Sequence, residues 1–283
     1  MHRIIAMAVA ALAAALIVAA GGPESGTLPS TASAQAPPSC PEPSTPDRDD
    51  FVRRIDNPYF PLRPGTTFKY RGRSDGNPTE NRVTVTQRTK RIQGVTTTVV
   101  RDRAFEDGEL VEDTFDWYAQ DKRGTVWYFG EDTKEFEDGQ VVSTAGSFEA
   151  GKDGAKAGIQ MPGRPRVGQT LYIEFAPGEA EDCFQIADLR AKVRTPYVAS
   201  KRALKRKEFT RLEPNLLEEK FFVPGVGLVR EQTIRGGNGF TELVSVKGAG
   251  REDDDRDDRD DRDERDERDD RDERDGDGRS DDD

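Results

Sequence analysis

Between Phe51 and Gly250 the chain breaks into short runs of β-branched and aromatic residues, and this segmentation constrains the fold more than any other feature. The runs cover 66–70, 82–89, 95–106, 109–120, 125–130, 140–149, 169–175, 205–212, 217–223, 226–234 and 240–246. Turn-forming residues separate them at short, regular intervals. Such spacing predicts a mainly β protein: a single antiparallel meander, curved into a sheet or half-open barrel, with at most one short helix. The best helix candidate is 179–190, where Ala180, Phe184 and Ala187 recur at helical spacing. The same segment also reads as a bend followed by a strand. The high Gly and Pro counts, 27 and 17, agree with a chain of many turns.

Two Asp-Gly pairs, Asp107-Gly108 and Asp138-Gly139, read as two-residue hairpin turns, because Gly accepts positive φ. The first sets Glu106 opposite Glu109, Arg103 opposite Glu112 and Asp102 opposite Asp113. If 121–124 is a four-residue loop, Gln120 faces Thr125, Trp117 faces Tyr128, Tyr118 faces Trp127 and Asp113 faces Asp132. Alternation then places Phe115, Trp117 and Tyr128 on one face, and Tyr118, Trp127 and Phe129 on the other. Large aromatics on both faces require cover on both. One face is the core; the other is a second layer or a groove for something apolar. In this register Asp102, Asp113 and Asp132 form a row across three strands. Like charges side by side call for a cation such as calcium, a raised pKa or solvent.

The ends read differently. His2 and Arg3, the apolar run 4–20 and Ala32-Ser33-Ala34 make the three-part pattern of a secretory signal peptide over 1–34. Residues 35–50 are rich in Pro, Ser and Asp and read as a disordered linker. No later segment reads as a transmembrane span. Cys40 and Cys183, the two cysteines, are most simply one disulfide in an oxidising compartment; two unpaired thiols are the alternative. The tail 251–283 carries 9 Arg and 21 Asp or Glu, and the whole net charge of −12 resides in it. With no apolar residue from Arg256 to Asp275, it reads as a disordered polyampholyte, available for an envelope contact. The densest basic cluster, Lys201, Arg202, Lys205, Arg206 and Lys207, reads as a solvated hairpin edge or a target for that tail.

Composition removes several chemistries. The one histidine is His2, inside the leader, so a processed chain has no Ser-His-Asp or Cys-His nucleophile and no imidazole zinc site. Two cysteines cannot build an all-thiolate zinc site. The glycine-rich stretch 151–158 lacks phosphate-loop spacing and reads as a flexible surface loop leading to Met161. A neutral body with an acidic tail disfavours nucleic acid. The carboxylates Asp116, Asp121, Glu131, Asp132 and Glu149, close to aromatics in sequence, offer the two carboxyl groups a glycoside hydrolase needs.

The segments Ile55-Asp-Asn-Pro-Tyr-Phe-Pro-Leu62, Asp116-Trp-Tyr-Ala-Gln-Asp121, Gly124-Thr-Val-Trp-Tyr-Phe-Gly-Glu131 and Gly146-Ser-Phe-Glu-Ala-Gly151 resemble a family of secreted bacterial β-rich proteins of unknown function. That resemblance implies a β fold and export, without an activity. The segment Lys220-Phe-Phe-Val-Pro-Gly-Val-Gly-Leu-Val-Arg-Glu231 is similar to closing strands of curved sheets of the lipoprotein-localisation-factor type, which cradle acyl chains. The long lid helix of that type is missing here. These readings point first to a secreted, non-enzymatic binding protein without a cofactor. Its ligand would be a lipid or other small apolar or amphiphilic molecule, lined by Trp117, Tyr118, Trp127 and Tyr128. A cation-linked surface protein, using the Asp row and tail, and a carboxylate-based hydrolase using Glu131 or Glu149 are the alternatives.

Overall fold

A computed structural model describes residues 40–248. The leader 1–34 and the tail 251–283 lie outside the described residues. Cys40–Asp50, the described part of the linker, ends in a 3-10 turn at Arg48–Asp50. It is tied to the body by the Cys40–Cys183 disulfide.

Sixteen strands follow: β1 (Phe51–Val52), β2 (Thr67–Ser74), β3 (Asn77–Ile92), β4 (Val95–Glu106), β5 (Glu109–Asp121), β6 (Val126–Glu137), β7 (Gln140–Ser143), β8 (Phe148–Glu149), β9 (Lys156–Met161), β10 (Thr170–Tyr172), β11 (Glu174–Phe175), β12 (Asp182–Arg194), β13 (Ala199–Thr210), β14 (Leu217–Val223), β15 (Gly227–Arg235) and β16 (Gly239–Lys247). Thirteen of them pair antiparallel in the order β10-β12-β13-β14-β15-β16-β2-β3-β4-β5-β6-β9-β11, while β1 pairs with β5, and β7 and β8 pair with β6. The two edge strands, β10 and β11, are consecutive in the chain and separated only by Ile173. The curved sheet is therefore a nearly closed barrel whose seam is one residue wide. At that seam Gly158 of β9 is required, since a Cβ there would lie 1.9 Å from the Ile173 carbonyl oxygen.

One end of the barrel interior is apolar. Phe68, Tyr70, Val83, Val100, Tyr118, Tyr128, Phe184, Leu204, Phe222 and Leu243 meet there in one buried cluster. The Ile55–Leu62 segment plugs this end, bridged to itself at Ile55 and Leu62. Phe60 meets Tyr118 edge-on at 5.3 Å. Asn57 holds the plug by donating from Nδ2 to the Gly124 carbonyl at 2.8 Å. Gln120 Oε1 accepts from the backbone N–H groups of Asp56 and Asn57. A second cluster on the outer face gathers Ile92, Val95, Val99, Trp117, Trp127 and Phe129, with Phe51 of β1 laid against it. Both faces of β5 and β6 thus carry buried aromatics, and the outer one is covered by the chain's own layer.

Four expectations are corrected. First, of the two readings of 179–190, the helix fails and the bend followed by a strand holds. Asp182–Arg194 is strand β12, paired with β13. Phe184 and Ile186 point inward with strand alternation, and the register shifts around Ala187, so its helical spacing is a coincidence of a bulge. Second, the stretch after Gly151 is not a surface loop throughout; Lys156–Met161 is a largely buried strand. Third, Arg206 of the basic cluster is buried, not solvated.

Fourth, the register differs. Glu106 does face Glu109, but a bulge sets Arg103 opposite Asp113 and Asp102 opposite Thr114. The β5–β6 loop has one residue more than expected, with Gln120 opposite Val126. This one-residue change turns the β6 side chains beside the loop to the other face, until a second bulge between Asp116 and Tyr118 restores the expected face from Glu131 onward. Tyr118 therefore faces Tyr128 inside, stacked at 4.8 Å, and Trp127 faces Ala119, joining Trp117 outside.

Candidate functional site: a charged interior layer and the cleft above Glu131

Above the apolar end, inward positions change character. Along β5 they read Tyr118, Asp116, Thr114, Glu112; along β13 Leu204, Arg206, Glu208; along β14 Phe222, Lys220, Glu218. The cations sit on one side of this layer. Lys220 Nζ lies 2.8 Å from Glu208, 3.2 Å from Glu231 and 3.9 Å from Glu218. Arg206 also pairs with Glu208 and donates to the Gln160 carbonyl at 2.6 Å. Burial alone would raise Glu208, but Arg206 and Lys220 outweigh it and hold its carboxyl below the usual range. Burial alone would lower Lys220; the three glutamates instead hold its ammonium above the usual range.

On the other side the acids lack such partners. Asp116, Glu131 and Glu174 are buried. Burial pushes Asp116 up to about 6, moderated by the Tyr128 and Tyr118 hydroxyls. Burial, reinforced by Glu174 and Asp116, pushes Glu131 well above the carboxylate range. Burial does the same to Glu174, with Asp182 adding to it. The Tyr128 hydroxyl lies 2.8 Å from Asp116 Oδ1 and 3.1 Å from Glu131 Oε2. One hydroxyl proton serves one acceptor. The second contact is satisfied when a protonated carboxyl donates back to the tyrosine oxygen. Glu131, held neutral by its neighbours, fills that role. Its other oxygen, Oε1, and both oxygens of Glu174 are buried without a hydrogen-bond partner among the described residues.

Glu131 also lines an open cleft of about 570 Å³, with Trp117, Lys90, Asp132, Phe148, Glu149 and Lys152 around it. Strand β8 builds this place by pairing with β6, Phe148 opposite Glu131 and Glu149 opposite Gly130. Lys90 Nζ sits 3.2 Å from the Trp117 ring centroid and 2.8 Å from Glu149; Lys152 is 3.0 Å from the same carboxylate. Burial alone would raise Glu149, but these two lysines hold it below its ordinary value. The cleft thus presents an aromatic edge and a lysine-paired carboxylate, while the Glu131 carboxyl is buried behind its wall.

The expected site residues separate. Trp117, Tyr118, Trp127 and Tyr128 are all buried, and they divide between the two clusters. Trp117 reaches the open cleft. Trp127 is fixed by its indole N–H, which donates to Asp121 at 3.2 Å. The void beside Tyr118 measures about 30 Å³, far smaller than the open cleft at Trp117. The Asp row is dispersed. Asp102 is buried inside the barrel, Asp113 is gripped by two hydrogen bonds from Arg101 at 2.7 and 2.6 Å, and Asp132 is exposed opposite Phe115. Among the described residues no group of three His, Cys, Asp or Glu is arranged to hold a metal ion. Nor is any described helix long and apolar enough to cross a membrane. Lys90, Lys152 and Glu174 were not singled out by the sequence. Lys152 lies three residues after Glu149, while only the folding of the sheet brings Lys90 and Glu174 here.

No protein-family model and no curated protein matches this chain. Two solved structures are similar in outline. One, from Bacteroides fragilis, is described as an exported protein with a YmcC-like fold (12% identity, 67% of this chain, 98% of that chain, TM-score 0.40). The other, from Parabacteroides distasonis, is described as a lipoprotein (13% identity, the same coverages, TM-score 0.35).

Proposed function

We propose that this chain is an exported, non-enzymatic binding protein. Its ligand is a small polar molecule with hydroxyl or amino donors, held in the cleft at Trp117. The observation that carries the reading is the open cleft where the Trp117 ring, the Lys90 ammonium and the Glu149 carboxylate meet. A ligand hydroxyl or amine in that cleft can donate to the Glu149 carboxylate. The Trp117 ring already accepts an ammonium group from Lys90, so a ligand amine or the C–H face of a polyol suits the same ring. The leader pattern and the Cys40–Cys183 disulfide support export. The narrow void beside Tyr118 favours the cleft over an apolar chamber inside the barrel.

The test is tryptophan fluorescence with a panel of hexoses, inositols and linear diamines. Saturable quenching by one class, lost in both Trp117→Ala and Glu149→Leu, is expected. No response to the whole panel, or a response that survives both substitutions, would overturn the reading.

A second reading, a carboxylate-based hydrolase, draws on one observation: Glu131 is raised and Glu149 lowered along the same cleft. Carboxyl groups pushed apart in this way suit an acid and a base. Hydrolysis of a chromogenic glycoside, abolished by Glu149→Gln, is its expected signature. Turnover unchanged in that variant, or none at all, removes it.

A further inference from the structure

The β12–β13 hairpin carries a feature the cleft does not use. Arg190, Lys192 and Arg194 alternate outward along β12, all exposed, while Ala191 and Val193 between them face the core. Beside them, Lys201 and Arg202 are exposed on β13, and Lys207 is half-buried further along. None of these six cations has an ion-pair partner among the described residues, whereas nearby Lys205 is paired with Glu219 at 2.9 Å. Alternate residues on a strand are about 7 Å apart, so the β12 cations form a straight row with a second, shorter row beside it. Strand β10 reaches only as far as the Thr170–Gln185 pair, so the outer edge of β12 beyond it is unpaired by any strand. Guarding such an edge needs a charge or two. Six of one sign across both strands repel one another and go beyond that need.

We infer that this ribbon is a docking track for a linear phosphodiester polymer. Three of the six are arginines, whose planar fork matches phosphate oxygens in pairs. A lipid surface fits less well. The ribbon's tip, Thr195 to Val198, turns Tyr197 and Val198 back onto the barrel's apolar cluster instead of offering them as membrane anchors. The row carries no exposed aromatic ring for stacking bases, so the polymer is read through its charge.

The experiment measures binding of the full chain to lipid-free poly(glycerol phosphate) over a salt series, with poly-L-glutamate and phosphatidylglycerol vesicles in parallel. Six contacts predict that log affinity falls with log salt at a slope of about −4, from about −0.7 per phosphate on a single strand. The triple change Arg190→Gln, Lys192→Gln, Arg194→Gln should halve that slope. A Lys201→Gln, Arg202→Gln pair should lower it by about a third. Both sets lie on exposed positions, and an unchanged melting temperature confirms folding. Absent binding, a slope unaltered in both variants, equal affinity for poly-L-glutamate, or binding to vesicles alone would each overturn the inference.

Discussion

The two ends of the barrel interior are built from the same strands and obey opposite rules. Where β5, β13 and β14 contribute Tyr118, Leu204 and Phe222, the space is filled and about 30 Å³ is left beside Tyr118. Two residues further along, the same strands contribute Asp116, Arg206 and Lys220. Acids outnumber cations there, and the buried Glu131 carboxyl lies behind the wall of an open cleft. The apolar end supplies cohesion through area removed from water. The charged end gives up some of that cohesion and holds the groups capable of recognition. Strand periodicity decides which side chains enter a barrel; it does not decide at what depth polarity changes.

The comparison can be broken at several points. The largest effect is expected at Lys220, the cation shared by Glu208, Glu218 and Glu231. Lys220→Met leaves buried charge uncompensated and should cost about 3–5 kcal/mol in urea unfolding at neutral pH. A loss below about 1 kcal/mol would mean that these glutamates do not depend on it. At the apolar end, Phe60→Ala opens the plug beside Tyr118 and should cost about 3 kcal/mol, with no change in pH dependence.

A pH series separates the ends more sharply. Asp116 is raised in the folded state to about 6 from an ordinary value of 3.8. Its contribution is therefore complete below the ordinary value and is lost as pH rises through 6. A shift of this size corresponds to about 3 kcal/mol at most. Stability should fall between pH 4 and 7 in the wild type, and Asp116→Asn should flatten that fall. A wild-type profile that rises over this window would contradict the assignment. The smallest effect is expected at the rim. Lys90→Ala removes a half-exposed contact to Trp117 and Glu149 and should change stability by about 0.5–1 kcal/mol, while altering ligand response. A loss of several kcal/mol would make Lys90 structural instead.

Much of the fold is legible in the sequence because strand patterning and Asp-Gly turns are local. The run 95–106 matches β4, and 217–223 matches β14, to the residue. Asp107 and Gly108 do take the positive φ values of 51° and 89° that the turn demands. Asp75-Gly76, which makes the same kind of turn between β2 and β3, carries the same signal and was readable too. What escaped was register. Bulges near Val111 and Trp117 and one extra residue in the 121–125 loop are invisible to alternation counting. Together they moved Tyr128 inside, Trp127 outside and the three aspartates apart. The candidate site was half legible. Trp117, Glu131 and Glu149 stood out as carboxylates near aromatics. Lys152 follows Glu149 by three residues, whereas Lys90 and the seam residue Glu174 come from distant segments that no local pattern links.

The account rests most heavily on a neutral Glu131 donating toward Tyr128 while Asp116 titrates near pH 6. Carboxyl-carbon NMR of selectively labelled full-length protein, followed from pH 3 to 8, reads both groups directly. The expected result is an Asp116 midpoint near 6 and a Glu131 resonance that remains protonated beyond the ordinary carboxylate range. Midpoints for both groups at ordinary solution values would contradict it.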